Sequence, residues 1–473
     1  MKLGWSSISI ISRFTAQGVG IIQSLVIVKI LSVGDYGLIG LVGSIGAIVG
    51  VYQNLGISSA STREIAASRD RKDAFKVFTG SLLVRYAISL PLVIGLFAMA
   101  PYLGNVYYHR PEIIAPLRIF AIVLFIQALQ SVLNSVIQGV KEFKFLFIFQ
   151  ALIAFASLVI YIPAVIKFGY IGYFYALLVF NLLSTIVLLA YVSRIFAENI
   201  ELPAKEELVG IIKAVFSIGL FVYVIKIIFT QWQRLGPVIL GKTLDNEMLG
   251  LFTFAIFVAS KVMTISDAIT DVTLPSMTEV YEKTKDKFHE LFIKSNTKSF
   301  IFITFSAVML ILLKKEIFSV IDLLMAFIGK EPISEKYAGS FLIMDPLIIA
   351  FWAYSHMNLI KSGLAVPAKK LWGTLFSYIL MFVSTIGLFV VLELEPVYAF
   401  SLAMAVGSVA GYISLALLVK PKVGFYPISL IDLRYLVLSV LIMGVYLWAG
   451  IPIVLGMIYL ASTYYFYVKY IKG

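Results

Sequence analysis

Apolar runs close to the length that crosses a hydrocarbon core, about 20 residues as a helix, recur from one end of this chain to the other. Their length predicts helices, because the strands of an outer-membrane barrel would be shorter and would alternate with a period of two. About fourteen spans satisfy the length criterion. The first, Gly4 to Ile30, departs from a lipid-facing pattern because Arg13 lies well inside it. Ser6, Ser9, Arg13, Gln17, Gly20 and Ser24 follow helical spacing and fall on one stripe, with leucine, isoleucine and valine over the rest. One face of this helix is therefore built for a polar neighbour. Arg13 also interrupts what would be the apolar region of a removable signal peptide, so the first span is expected to stay.

Spans two to six are expected at about 36–60, 77–100, 113–139, 145–166 and 169–194. Between two and three lies a basic loop, 63–76, which reads most simply as a solvated anchor. Gly43, Gly46 and Gly50 in span two have the spacing that lets helix backbones approach closely. Span three carries Ser81, Arg85 and Ser89 on one stripe, and span four carries Gln127, Gln130, Asn134 and Gln138. Amides at that density belong against a cavity or a neighbouring helix, not lipid. The apolar signal stops at 198–208, where Pro203 and mixed charges mark a linker.

Spans seven to twelve follow at about 209–235, 248–274, 299–325, 338–362, 368–392 and 397–419, with a second basic loop at 275–298. They repeat the first six. At an offset of about 213 residues Arg13 meets Lys226, Lys29 meets Lys242, Gly37-Leu38 meets Gly250-Leu251, Lys72 meets Lys285 and Arg85 meets Lys298. Past the loop at 329–335 the offset becomes about 224, and Asn134 and Gly139 meet Asn358 and Gly363. Six spans per repeat is an even number, so both copies enter the membrane in the same direction, an arrangement typical of transporters that rock two halves about a central site. Two further spans, about 433–448 and 451–470, have no counterpart. The domains expected are a first six-helix lobe (1–197), a linker (198–208), a second six-helix lobe (209–420) and two additional helices (421–473).

Composition agrees with this class. Of 473 residues 60% are hydrophobic and 14% charged, and the mean hydropathy is +0.97, which excludes an ordinary water-soluble globule. With no cysteine there are no disulfides, thiolate metal sites or cysteine nucleophiles. The net charge of +12 reads as loops that hold topology and touch anionic lipid, so nucleic acid is not an expected partner. Lys and Arg at the span ends are in excess on the side of the N-terminus. The positive-inside rule then places both termini in the cytoplasm of a multi-pass plasma-membrane protein. Neither a phosphate-binding glycine loop, a catalytic triad nor a metal-ligand cluster is present, so no cofactor is expected and the chain is not read as an enzyme.

The opening helix with its buried Arg13, the Asp35-Tyr36-Gly37-Leu38 segment entering span two, the Leu274-Pro275 exit from span eight and the fourteen-span layout together resemble the multidrug/oligosaccharidyl-lipid/polysaccharide (MOP) exporter superfamily. The likeness is to its polysaccharide transporter branch, of the O-antigen flippase type. That resemblance implies an all-α fold of two MATE-like lobes around a V-shaped cavity, alternating access, and a polyprenyl-diphosphate-linked glycan as cargo. It implies that basic residues at Arg13, Arg85, Lys226 and Lys261 line the cavity, where Gln17 and Asn134 are also candidates. The partners expected are the bilayer, the lipid-linked glycan, and the polymerase or ligase machinery that uses it.

Electrostatics points to the same cargo. Each Lys or Arg near a helix centre costs about 2.5–3.5 kcal/mol on insertion scales, so several together call for an anion or for water. Asp267, Asp271 and Asp345 are the clear intramembrane acids. Two readings stand for them, ion coupling or salt bridges between helices, with Asp345 beside a helix-perturbing Pro346. For Arg13 and Arg85 the alternatives are snorkelling to the interface or pairing with Asp267 or Asp271. His109 and His289 are expected in loops, and His356 either titrates in the cavity or is structural. The rival functions are a proton- or sodium-coupled multidrug antiporter, which typically needs an acid in the first helix, and a membrane enzyme of lipid-linked glycan assembly, which would need a larger outside loop with acid/base groups.

Overall fold

The computed structural model describes residues 5–217, 220–283, 285–328 and 331–472, with side chains for all of these except 5–14, 211, 214–217, 220–222, 271–276, 282–283, 285–287, 421–423 and 471–472. The described chain is helical throughout. Helix α1 (Trp5–Ile30) is followed by α2 (Val33–Asn54), which starts where the Ser32 side chain accepts the Asp35 amide at 3.0 Å. It ends where Leu55 (φ 36°) and Gly56 (φ 79°) turn left-handed. The apolar run then resumes as α3 (Ile57–Ala67), so the second span is a broken helix and not a rod. Asp70 caps α4 (Arg71–Tyr102) by accepting the Asp73 amide at 2.8 Å. Most of the basic segment expected as a loop is therefore helix.

A corner of π- and 3₁₀-turns, Leu103–Tyr107 and Pro111–Ile113, leads into α5 (Ile114–Gly139). Next comes α6 (Phe143–Phe196), interrupted at Gly169 (φ 62°, ψ −145°), a backbone conformation that essentially only glycine adopts. The break falls between expected spans five and six. The chain continues with α7 (Lys205–Ser217) and α8 (Leu220–Leu240), then α9 (Asn246–Ala259) and α10 (Lys261–Lys283). Helix α10 runs through Leu274-Pro275 and α11 (Lys285–Leu324) starts almost at once, so the second expected basic loop is largely helical too. Charged residues end a membrane span without ending a helix. Helix α11 kinks at Leu313 (φ −108°, ψ 15°). The short α12 (Ile333–Lys336) precedes α13 (Ser340–Ile360), which continues as a π-turn over Lys361–Ala365. Helices α14 (Leu371–Val391), α15 (Pro396–Val423), α16 (Leu430–Ala449) and α17 (Pro452–Tyr467) complete the chain. Among the described residues nine helices are long and apolar enough to cross a membrane. One of these, Phe143–Phe196, contains two expected spans, and the described part of α1 adds a shorter apolar helix, Thr15–Ile30. The protein is an all-α polytopic membrane protein.

By contact the chain forms two compact units, Met1–Gly250 and Leu251–Gly473. In the first, one apolar cluster joins α2, α4, α5 and α6 around Leu41, Leu117, Ala121 and Phe174. A second, around Leu133, Ile137, Leu188 and Val192, joins α3 to the other ends of α4, α5 and α6. Gly46 and Gly50 serve the close packing read from the sequence: a methyl on Gly46 would overlap the Phe120 ring of α5, and one on Gly50 would stand 3.1 Å from Leu124. Gly43 does not, since nothing lies within 4 Å of its added methyl. In the second unit α13 is the central helix, with 78% of its apolar window buried. Gly407 and Gly411 of α15 lie against Met381 and Thr385 of α14. Helix α16 is buried over only 22% of its window and presents Leu447 and Trp448 outward, as a lipid-facing helix does.

Candidate functional site

Two cations of the first unit, Arg85 and Lys226, lie within electrostatic range of each other. Arg85 on α4 is buried, 4% exposed, and its Nη1 donates to the Gln53 carbonyl at 2.5 Å. That carbonyl is available because α2 stops one residue later and leaves its last C=O groups without helical partners. Arg85 Nε and the neighbouring Gln53 Nε2 and Ser89 Oγ are buried with no hydrogen-bond partner. Ser81, on the same stripe, accepts from Ser61 Oγ at 2.7 Å. Arg85 thus keeps its guanidinium inside the protein.

Lys226 on α8 is exposed yet close enough to Arg85 to feel its charge. Arg234 follows two turns later on the same stripe, beside Tyr36 and Tyr173. Between them Gln231 Nε2 donates to Tyr52 Oη at 3.0 Å. Arg234 had no place among the sequence candidates because it sits where the apolar run fades. The signal that finds it is its i, i+4, i+8 relation to Lys226 and Thr230. Arg85, Lys226 and Arg234 take no part in the ion pairs Arg63 with Glu64, Lys76 with Glu201 and Glu207, or Lys314 with Asp345.

The other first-unit candidates are less closely tied. Gln17 is exposed and Asn134 half-buried. The Arg13 side chain lies outside the described residues. On α1 Gln23 Oε1 accepts from Ser157 Oγ of α6 at 2.5 Å. The amide stripe of α5 turns partly to its neighbours, Gln127 Nε2 donating to Asn181 Oδ1 at 3.2 Å.

In the second unit Asp267 of α10 accepts from Asn358 Nδ2 of α13 at 2.9 Å, and the same amide reaches Ser266 Oγ at 3.4 Å. Lys361, in the π-turn that ends α13, lies within electrostatic range of Asp267 and 5.9 Å from the centre of the Tyr378 ring. Sequence reading missed Lys361 because it stood at the expected end of span ten. Lys261 places its ammonium 4.2 Å from the centre of the Phe257 ring. The Asp271 side chain lies outside the described residues. Asp345 pairs with Lys314, a buried lysine just past the kink of α11. His356 is buried and stacked on Phe300, with Trp352 and Tyr412 alongside. His289, expected in a loop, is in α11 and stacks on Phe425 at 4.0 Å. Among the described residues no group of three His, Cys, Asp or Glu could hold a metal ion.

Comparison with known proteins places the chain. Among solved structures it is similar to a lipid II flippase MurJ in an inward closed conformation, at 16% identity with a TM-score of 0.72, over 97% of this chain and 98% of that one. It is also similar to an inward-facing multidrug resistance MATE family transporter of the MOP superfamily, at 17% identity and a TM-score of 0.64, over 88% and 98%. A MATE in the straight conformation gives 16% identity and 0.53 over 88% and 95%. At such identities the likeness is one of fold. Comparison with curated proteins finds no match. The model of the family described as polysaccharide biosynthesis protein matches residues 26–324, well over half of the chain, and the chain belongs to that family, on the fold shared by MurJ and the MATE transporters.

Proposed function

We propose that this protein is a flippase that carries a polyprenyl-diphosphate-linked glycan from the cytoplasmic to the outer leaflet by alternating access. The observation that carries this reading is the neighbouring pair Arg85 and Lys226, with Arg234 two turns further along the Lys226 helix, none of them with a carboxylate partner among the described residues. Charges held in hydrocarbon without counter-ions are functional in most membrane proteins. A diphosphate would supply the missing anion: Arg grips phosphate oxygens in pairs and Lys acts as a point charge. The family supports a polysaccharide precursor, and the MurJ-like fold suits a lipid-linked one. Arg13, Gln17, Asn134 and Lys261 are proposed to line the same path, from two lobes of six helices at 1–197 and 209–420, with 421–473 as additional lipid-facing helices. Both termini are proposed to lie in the cytoplasm, and the glycan polymerase or ligase machinery to receive the product.

Asp267 with Asn358 and Lys361 is the favoured ion-coupling group, with Asp271 beside it in sequence. Asp345 is the weaker choice because Lys314 already neutralises it. The test is flipping by purified protein in vesicles, with a fluorescent polyprenyl diphosphate oligosaccharide and a phospholipid of the same label as control. Selective flipping of the former supports the reading. Equal rates for both, or cation-gradient-driven efflux of drugs instead, overturn it.

A further inference from the structure

The two copies of the repeat touch at equivalent glycines. Gly37, in the first turn of α2, and Gly250, in the first turn of α9, are related by the same 213-residue offset that relates Val33 to Asn246. The contacts are reciprocal. A methyl on Gly37 would stand 2.5 Å from the Asn246 carbonyl and 2.7 Å from the Gly250 amide, and a methyl on Gly250 would overlap the Val33 carbonyl. Residue i meeting j′ while j meets i′ is the signature of a two-fold contact, so a local pseudo-two-fold axis passes between these helix ends. Backbones this close leave no room for any side chain at either position.

Polar side chains brace the crossing. From the corner between α4 and α5, the Arg110 guanidinium donates to the Leu244 carbonyl and Tyr108 Oη donates to the Val238 carbonyl at 3.1 Å. In return Asn246 Nδ2 donates to Glu112 Oε1 at 3.4 Å. Leu244 and Val238 lie at and beyond the C-terminal end of α8, where carbonyls lack helical partners. The first repeat supplies those partners with side chains, which can let go without unwinding a helix. Helix α2 starts three residues after α1 ends, so the Gly37 crossing lies toward the end of α1 away from Trp5.

We propose that the Gly37–Gly250 crossing, braced by Tyr108, Arg110 and Asn246, is the closure of the transport path on the face opposite the N-terminus, and that it parts in every cycle. This rests on the alternating-access reading above, in which each face must close in turn and the closing contact must join both repeats. Glycines fix how tightly the closure seats; the three polar contacts hold it.

The absence of native cysteine allows a direct test. With Gly34→Cys and Asn246→Cys, the ideal Cβ at 34 falls 3.1 Å from that at 246, near the separation of about 3.8 Å in a disulfide. A protease site placed in the exposed linker reports cross-linking, because the oxidised chain stays joined after cleavage. Oxidation is expected to cross-link most of the protein, to reduce flipping of the lipid-linked glycan at least tenfold, and to be reversed by a thiol reductant. No cross-link, or full flipping by cross-linked protein, overturns the proposal. A second measurement needs no cargo: labelling of a single Asn246→Cys by a membrane-impermeant maleimide added outside. Arg110→Gln in that background is expected to speed labelling several-fold, and an unchanged rate overturns the latch. Faster labelling in a protein that flips no glycan lipid leaves the closure standing and removes the flippase reading instead.

Discussion

Arg85→Met separates a functional charge from a structural one. The guanidinium is buried and makes one hydrogen bond, to the Gln53 carbonyl at 2.5 Å, while its Nε has no partner. Holding Arg at membrane depth costs about 2.5–3.5 kcal/mol, and one charge-assisted hydrogen bond returns about 1.5–3. Methionine keeps the apolar stem and drops the charge, so those two figures alone favour the variant by roughly 0–2 kcal/mol. The abandoned Gln53 carbonyl gives back about 1 kcal/mol or more. The sum is close to zero, and thermal unfolding of the purified variant is expected to match the parent. Flipping is not. Losing one charge-assisted contact to phosphate, about 1.5–3 kcal/mol, lowers transport by roughly 10–100-fold at about 1.4 kcal/mol per decade. Arg85→Lys should fall between the two, since it keeps charge and loses the planar fork. A variant that unfolds several kcal/mol more easily yet flips normally per folded molecule would refute the reasoning and make Arg85 a brace for the end of α2.

Lys314→Met is the opposite case, because it strands Asp345 in the membrane: it should cost about 3–5 kcal/mol in unfolding, and adding Asp345→Leu should recover most of that. Gly46→Ala should destabilise by about 1–3 kcal/mol through overlap with Phe120, whereas Gly43→Ala, facing open space, should be neutral or stabilising by up to about 1 kcal/mol; chemical denaturation compares the pair. Glu207, in the first turn of α7, accepts the Ala204 amide at 2.8 Å and pairs with Lys76 at 3.0 Å, and these hold its carboxyl below the usual range. A depressed carboxyl stabilises above its unfolded pKa and loses that as pH falls through the folded one. Amide exchange at Ala204, corrected for intrinsic rate, should therefore be protected near neutral pH and lose protection only as pH falls below the usual carboxylate range, with a flat profile in Glu207→Gln.

Span lengths made most helices legible, and the Gly169 break showed as a gap between two apolar runs. The break at Leu55–Gly56 did not, because Leu55 looks like any helix-forming residue and a glycine is common inside membrane-spanning helices. The basic segments misled for a simpler reason: hydropathy reports where a span leaves the membrane, and helices α3, α4, α10 and α11 extend past that point. Arg85 was visible as a charge in an apolar stripe, but its partner, a backbone carbonyl 32 residues away, carries no side-chain signal. Lys314 and Asp345 are both visible as charges, and nothing local says that they meet. The glycine crossing was half legible, since the repeat offset pairs Gly37 with Gly250 without revealing that the pair is in contact.

The most direct test of cargo is mass spectrometry of lipids that stay bound to the gently solubilised protein, comparing the native chain with the Arg85→Met, Lys226→Met double variant. A polyprenyl diphosphate bearing sugars on the native protein, and missing from the equally folded variant, is the predicted result. The same bulk phospholipids on both, with no diphosphate lipid on either, would contradict it.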